Sequence, residues 1–288
     1  MIVVFGSINL DLIFPLPHIP SPGETVLGPS VRIEPGGKGA NQAVAAARDG
    51  AKVVMVGAIG TDTLAEGALR LLSEAGVDLS RVRHTAAGTG CAAIAVDPAG
   101  RNAIAVASGA NLLVNADQVE DALLTPDTIL LLQMEVPAAE TAALIARAKS
   151  RGARVVLNLA PAAALPETAL RALDLLVVNE TEAAWIGQHL GTNGTAAALQ
   201  AKLGVKTLCT LGEAGVETAT GRIPARAIVP VDTTAAGDCF VGVLAAALDR
   251  GLDLNAAIQR AIVAASICCT RAGSQGSIPT AAETDAHL

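Results

Sequence analysis

The residues best suited to chemistry lie in Val229-Pro230-Val231-Asp232-Thr233-Thr234-Ala235-Ala236-Gly237-Asp238-Cys239-Phe240. A strand-like run there gives way to small residues and one carboxylate, and an Ala/Leu/Val-rich helical pattern follows over residues 241–248. The unpaired N–H groups of the first helical turn and the positive end of the helix dipole would converge near Ala235, Ala236, Gly237 and Asp238, where small side chains let an anion reach the backbone. A carboxylate beside a phosphate-sized hole would repel the phosphate. Asp238 is therefore expected to act on the other reactant, taking a proton from a hydroxyl that attacks phosphorus. The alternative is a helix N-cap, with Gly237 merely permitting the turn; this stretch alone does not decide between the two.

Other polar residues fall where a folded chain would gather them. In Ser7-Ile8-Asn9-Leu10-Asp11 the residues Asn9 and Asp11 are two apart, so an extended chain puts both on one face. They could hold neighbouring hydroxyls or simply line a solvated strand edge. Gly36-Gly37-Lys38-Gly39-Ala40-Asn41-Gln42-Ala43 runs into an Ala-rich helical pattern that ends near Asp49-Gly50. Glycines ahead of a helix allow close approach of a ligand, and Lys38 and Asn41 fall three apart on one helical face. This is not a P-loop, because Lys38 is followed by Gly39 and not by Ser or Thr. Gln133-Met134-Glu135, Asn158-Leu159-Ala160-Pro161 and Asn179-Glu180-Thr181-Glu182 each follow an apolar run. Any one of them could be a helix cap, but three in succession at one sheet edge fit a site better.

The elements that must position these residues read as alternating strands and helices. Strands are expected at 2–6, 52–57, 128–132, 154–157 and 175–178, and helices at 63–75, 137–151 and 255–270. Residues 207–216 read as strand, Gly turn, strand. The pattern predicts a doubly wound α/β domain over residues 1–288, with a mostly parallel sheet, helices on both faces and ligands beyond the carboxyl ends of the strands. Two further stretches break it. The Pro-rich segment around Thr25-Val26-Leu27 excludes a helix and predicts short edge strands, and residues 90–96 and 102–106 flank the turn cluster Asp97-Pro98-Ala99-Gly100. Together these stretches, about 9–35 and 89–108, predict one small separate β-sheet.

Composition narrows the function classes. A net charge of −7 without a clustered basic surface argues against nucleic acid. No apolar run approaches membrane-span length and Ile2 to Phe5 reads as a strand instead of a leader, so a cytoplasmic location is expected. Cys91, Cys209, Cys239, Cys268 and Cys269 show no metal-ligand spacing and read as free thiols in a reducing compartment. One Trp, three Phe and no Tyr rule out base stacking as a major device.

Asp232-Thr233-Thr234-Ala235-Ala236-Gly237-Asp238-Cys239-Phe240 resembles the C-terminal signature of the ribokinase family, the PfkB-type carbohydrate kinases, and Gly36 to Ala43 resembles the family's first signature. The resemblance extends over essentially the whole chain. It implies an ATP-dependent sugar kinase with D-ribose as the expected substrate. Asp238 would be the base, with Ala235, Ala236 and Gly237 forming the anion hole. Asn9, Asp11, Gly37, Lys38, Asn41 and Glu135 would hold the sugar, with Asp238 against its reactive hydroxyl. Asn179 would serve nucleotide phosphate and Glu182 would serve Mg²⁺ through water, while Thr210 and Gly212 would contact nucleotide phosphate. Asp232, Thr234, Cys268, Arg271, Gly273 and Ser277 would surround a K⁺ site, although Gly276 stands where Pro is common. Asn158 is set aside because Leu159 departs from the usual Asn-Pro-Ala-Pro. The small sheet would act as a lid over the sugar and pair with a second subunit, giving a homodimer. Alternatives are another substrate (2-deoxyribose, a nucleoside or a ketohexose) or a non-catalytic sugar sensor, against which retention of Asp238 argues. A nicotinamide-dependent oxidoreductase lacks the Gly-x-Gly-x-x-Gly run after the first strand.

Overall fold

A computed structural model describes residues 1–288. In chain order the strands are β1 (Ile2–Phe5), β2 (Asn9–Pro15), β3 (Arg32–Gly36), β4 (Val53–Ile59), β5 (Asp78–His84), β6 (Gly90–Val96), β7 (Asn102–Ala107), β8 (Ile129–Leu132), β9 (Arg154–Asn158), β10 (Leu175–Asn179), β11 (Lys206–Thr210), β12 (Val216–Thr218) and β13 (Gly221–Ile223). The helices are α1 (Lys38–Arg48), α2 (Ala65–Glu74), α3 (Ala138–Ser150), α4 (Glu167–Arg171), α5 (Glu180–Leu190), α6 (Ala196–Leu203), α7 (Ala236–Asp249), α8 (Leu254–Cys269) and α9 (Ala281–Asp285).

Nine strands form one sheet in the order β13-β12-β11-β10-β9-β8-β1-β4-β5, parallel except where β12 and β13 turn back at one edge. Side chains alternate across each strand, so an apolar run such as Ile2-Val3-Val4-Phe5 feeds both faces. Ile2 and Val4 join a core shared with α1, α2, α7 and α8, whereas Val3 and Phe5 join one shared with α3 to α6. Helices thus cover both faces, as a doubly wound sheet requires. Strand order reverses at β1 and β8; the loops leaving β1 and β8 carry Ser7 and Glu135, and the last residues of β9, β10 and β11 are Asn158, Asn179 and Thr210, all at the carboxyl edge of the sheet.

The second sheet, in the order β3-β2-β6-β7, is built from the two stretches expected to make it. Pro15 falls at the last position of β2 and Pro35 on edge strand β3, where a missing N–H leaves few ladder bonds unmade. Thr25, Val26 and Leu27 form no strand, and Leu27 is 85% exposed with no neighbour to pair. The strand-like run Val229-Pro230-Val231 is also irregular: Pro230 has no donor, Val229 is 85% exposed, and the segment is tied instead by the Val231 and Asp232 amides donating to the Cys269 carbonyl. The edge strand β5, whose polar sequence Asp-Leu-Ser-Arg-Val-Arg-His hides its register, was not expected.

Helices α1 and α7 cross at very close range. A Cβ on Gly242 would fall 2.4 Å from the Gln42 carbonyl, so only glycine permits this approach. The crossing brings the first turn of α7 against Asn41 and Gln42 of α1.

Candidate active site

Asp238 is the third residue of α7, not its N-cap. The cap position is Ala235, held at φ 59 in the left-handed region, an uncommon conformation for a residue with a side chain that costs roughly 1–2 kcal/mol. No side chain caps this helix. The amides of Gly237 and Asp238 therefore lie in the first turn, where an α-helix leaves donors unpaired, while the Ala236 amide donates to the Thr233 carbonyl at 3.2 Å. A Cβ added to Gly237 would meet no atom within 4 Å, so the space beside that residue is open.

The Asp238 carboxylate is buried and engaged from behind. Asn41 Nδ2 donates to Oδ2 at 2.9 Å and Gln42 Nε2 donates to Oδ1 at 2.9 Å. Asn41 is itself oriented by Gln275, whose Nε2 donates to Asn41 Oδ1 at 3.0 Å. In front of Asp238 opens a cleft of about 150 Å³ whose lining includes Lys38, Asn158, Asn179, Glu182, Thr210, Ala235 and Gly237. The Lys38 ammonium is held above its ordinary pKa by Asp238 first, with burial opposing and Glu135, Glu182 and Asp11 reinforcing. One half-buried cation thus faces the opening, which is where an acidic protein must concentrate positive potential to accept a polyphosphate.

The carboxylates around the expected sugar position repel one another. The Asp11 carboxyl is pushed up to about 7 by burial, then by Glu135, Glu34 and Asp238, with Lys38 pulling the other way. Asp11 packs so closely on the first signature that a Cβ on Gly36 would lie 2.1 Å from its Oδ2. Gly37 needs φ 88 and abuts the Asn9 amide. Asn9 is buried, and its Oδ1 accepts from Asn111 Nδ2 at 2.7 Å, which turns the Asn9 amide nitrogen outward as a donor. Glu135 Oε2 accepts from Ser7 Oγ at 2.5 Å and from the Lys38 amide at 2.9 Å, tying the loops after β1 and β8 to the start of α1.

Asn179 and Glu182 form a reciprocal capping box at α5: the Glu182 amide donates to Asn179 Oδ1 at 2.9 Å and the Asn179 amide to Glu182 Oε2 at 2.8 Å. Burial raises the Glu182 carboxyl above its usual range, and the Asn179 amide opposes the rise. Both residues line the cleft, so the cap and a ligand contact are compatible. Thr210 lines it too, while Gly212 lies two residues farther on in a turn at φ 54 and is not part of the lining.

The loops proposed for a monovalent cation lie together at the end of α8. Asp232 accepts from the Thr234 amide at 2.9 Å and from the Gly273 amide at 3.1 Å. Burial opposes these bonds but does not outweigh them, so the carboxyl titrates below its usual range. Asp232 thereby organises both loops, and the oxygens left to hold a cation are mainly backbone carbonyls. The Cys268 thiol lies 3.0 Å from Ser277 Oγ and 3.9 Å from the Thr234 carbonyl, the Cys268 carbonyl accepts from the Arg271 amide, and the Arg271 guanidinium reaches away to Glu283. Hard oxygen donors of this kind suit an alkali cation.

Four residues at the site lie outside the set expected from sequence. Gln42 stood inside the first signature, next to Asn41, and its polarity on an Ala-rich helix was the available signal. Asn158 had been set aside for its neighbour Leu159, yet it lines the cleft and accepts from Gln42 Nε2 at 3.0 Å. Asn111 and Gln275 carried no local signal, because each acts on residues more than one hundred positions away.

The chain is 37% identical to a ribokinase of Haemophilus influenzae, covering 98% of this chain and 96% of that one. Its fold matches the crystal structure of a ribokinase from Thermotoga maritima with a TM-score of 0.89 and 32% identity, over 99% and 98% of the two chains. An Arabidopsis thaliana ribokinase complexed with ribose and ATP matches with a TM-score of 0.86 and 28% identity, over 99% and 97%. The family model described as pfkB family carbohydrate kinase spans residues 1–281. With that model over nearly the whole chain and ribokinase relatives matched end to end, the chain belongs to the pfkB family of carbohydrate kinases.

Proposed function

We propose that the protein transfers the γ-phosphoryl group of ATP to O5 of D-ribose, giving ribose 5-phosphate and ADP. The observation that carries this reading is the position of Asp238, between the Asn9/Asp11/Asn41 cluster and the open first turn of α7. Asp238 takes the O5 proton as the O5–P bond forms and the bond from the γ-phosphorus to the bridging oxygen of ADP breaks. Amides at Ala235, Ala236 and Gly237 receive the charge spread over the transferred group, that of Ala236 sharing its hydrogen with the Thr233 carbonyl, and Lys38 adds a positive charge beside it. Asn9 and Asp11, with Gly37, Lys38, Asn41 and Glu135 around them, orient the sugar hydroxyls. Asn179, Thr210 and Gly212 attend the nucleotide phosphates.

Glu182 fits a Mg²⁺ that arrives with ATP, since such an ion keeps most of its waters and takes one or two carboxylates; it would neutralise phosphate charge during transfer. Carbonyls of Asp232, Thr234, Cys268, Arg271, Gly273 and Ser277 suit K⁺, which would stiffen the loop leading into α7. The small sheet serves as a lid, and Ile33, Ile104 and Val106, more than half exposed on it, favour pairing with a second copy of the chain; sedimentation velocity tests the homodimer. The free thiols agree with a reducing, cytoplasmic setting, and no helix is long and apolar enough to cross a membrane. A coupled ADP-release screen across pentoses, hexoses and nucleosides tests the substrate. Ribose should give the highest kcat/KM, and turnover of another sugar without ribose would overturn the assignment.

A further inference from the structure

Gln42 is fully buried on α1, and each end of its amide is spoken for. Its Nε2 donates to Asp238 Oδ1 at 2.9 Å and to Asn158 Oδ1 at 3.0 Å, and its Oε1 accepts from Gln133 Nε2 at 2.6 Å. Asn158 cannot turn its amide over, because its Nδ2 donates to the Val177 carbonyl at 3.2 Å and leaves Oδ1 as the acceptor. A flipped Gln42 would aim its oxygen at two acceptors and its nitrogen at the Gln133 amide donor. One orientation alone satisfies the set. The β10 backbone therefore fixes Asn158, Asn158 and Gln133 fix Gln42, and Gln42 presents a donor to Asp238.

We propose that Gln42 is a positioning residue for phosphoryl transfer, a buried amide clamped by Gln133 and Asn158 that holds the Asp238 carboxylate with its free lone pairs aimed into the cleft. This rests on Asp238 being the group that accepts the hydroxyl proton. Asn41 and Gln42 occupy one lone pair on each oxygen, so rotation about the Cβ–Cγ bond of Asp238 breaks both bonds at once. The arriving proton must then settle on a lone pair that faces the sugar. Lys38, Asp11 and Glu182 interact with this carboxylate through their charge, but the hydrogen bonds to it come from the two amides. A helix position needed only for packing would be better filled by an apolar side chain, since burying an amide is costly unless its polar atoms are paired.

The test uses Gln42→Met and Gln133→Met beside Asp238→Asn, with kcat, KM for ATP, calorimetric Kd for ribose and Tm measured on each. Misplacing a reacting group by about 1 Å can cost about 100-fold, so Gln42→Met should lower kcat about 10- to 100-fold while ribose Kd and ATP KM stay within about threefold. Gln133→Met, which leaves the Gln42 contact but removes its clamp, should lower kcat about 3- to 10-fold. Wild-type kcat in Gln42→Met, or parallel losses of kcat and ribose affinity, would overturn the positioning role. If Gln42→Met fails to fold, Gln133→Met decides, and an unchanged kcat there overturns it. Near-native kcat in Asp238→Asn removes the base assignment itself. An inactive Asp238→Asn beside fully active glutamine variants removes only the role of Gln42.

Discussion

Replacing Gly237 by alanine separates a ligand-imposed glycine from a fold-imposed one. Its backbone does not need the left-handed region, and an added Cβ meets no protein atom within 4 Å. The fold alone should therefore accept alanine with a small gain in helix propensity: glycine to alanine inside a helix contributes about 0.5–1 kcal/mol, less in a first turn. For a chain of this size that is a rise of at most about 2–4 °C in Tm. The methyl group would project into the space where phosphoryl oxygens must reach the first-turn amides. Loss of one such donor lowers kcat by about 10²–10³. Ribose affinity should hold, because the sugar contacts come from α1, β2 and the loop after β8. Thermal melting, ribose calorimetry and coupled ADP release on one preparation give all three quantities. A kcat near the native value would show that no phosphoryl group approaches this turn, and a large fall in Tm would show that Gly237 serves packing.

Asp11 is pushed up to about 7 when folded, against 3.8 for an ordinary Asp, so between those values the folded protein holds a proton the unfolded chain has lost. Its contribution to stability is present at low pH and lost as pH rises through about 7. Asp11→Asn should accordingly raise the Tm of the ligand-free protein at pH 8 while weakening ribose binding; a lower Tm would contradict the burial argument. Exchanging K⁺ for tetramethylammonium at constant ionic strength should lower kcat severalfold, and an unchanged rate would mean that the bonds from Asp232 already hold the loop rigid. With 2-deoxyribose, kcat/KM should fall about 10- to 100-fold, since a buried polar group left without its hydroxyl costs about 1–3 kcal/mol; an equal or higher value would point to a deoxy-sugar substrate.

The parts legible in the sequence were those with local signals. Apolar runs ended by polar residues marked the parallel strands β1, β4, β8, β9, β10 and β11 to within a residue or two, while the polar strand β5 carried no such run, and the small residues ahead of Asp238 marked the first turn of α7. The N-cap alternative for Asp238 needed the structure, because whether residue 235 or 238 starts a helix turns on one dihedral angle, that of Ala235. Val229-Pro230-Val231 has strand composition but no partner strand, and pairing is a property of the sheet rather than of the segment. The residues behind the site were hidden for a related reason. Gln42 and Asp238 are separated by 196 positions, and Asn111 and Asn9 by 102; only the α1–α7 crossing and the path of the chain after β7 bring them together.

The base assignment for Asp238 is tested most directly by Asp238→Asn. Asn41 and Gln42 both donate to this side chain, so an amide there satisfies one of them and leaves the other unmatched, at about 1–3 kcal/mol. The variant should therefore fold with a modestly lower Tm, still bind ribose, and form ribose 5-phosphate with kcat reduced by about 10²–10⁴. A folded, ribose-binding Asp238→Asn protein that keeps near-native kcat would contradict the account.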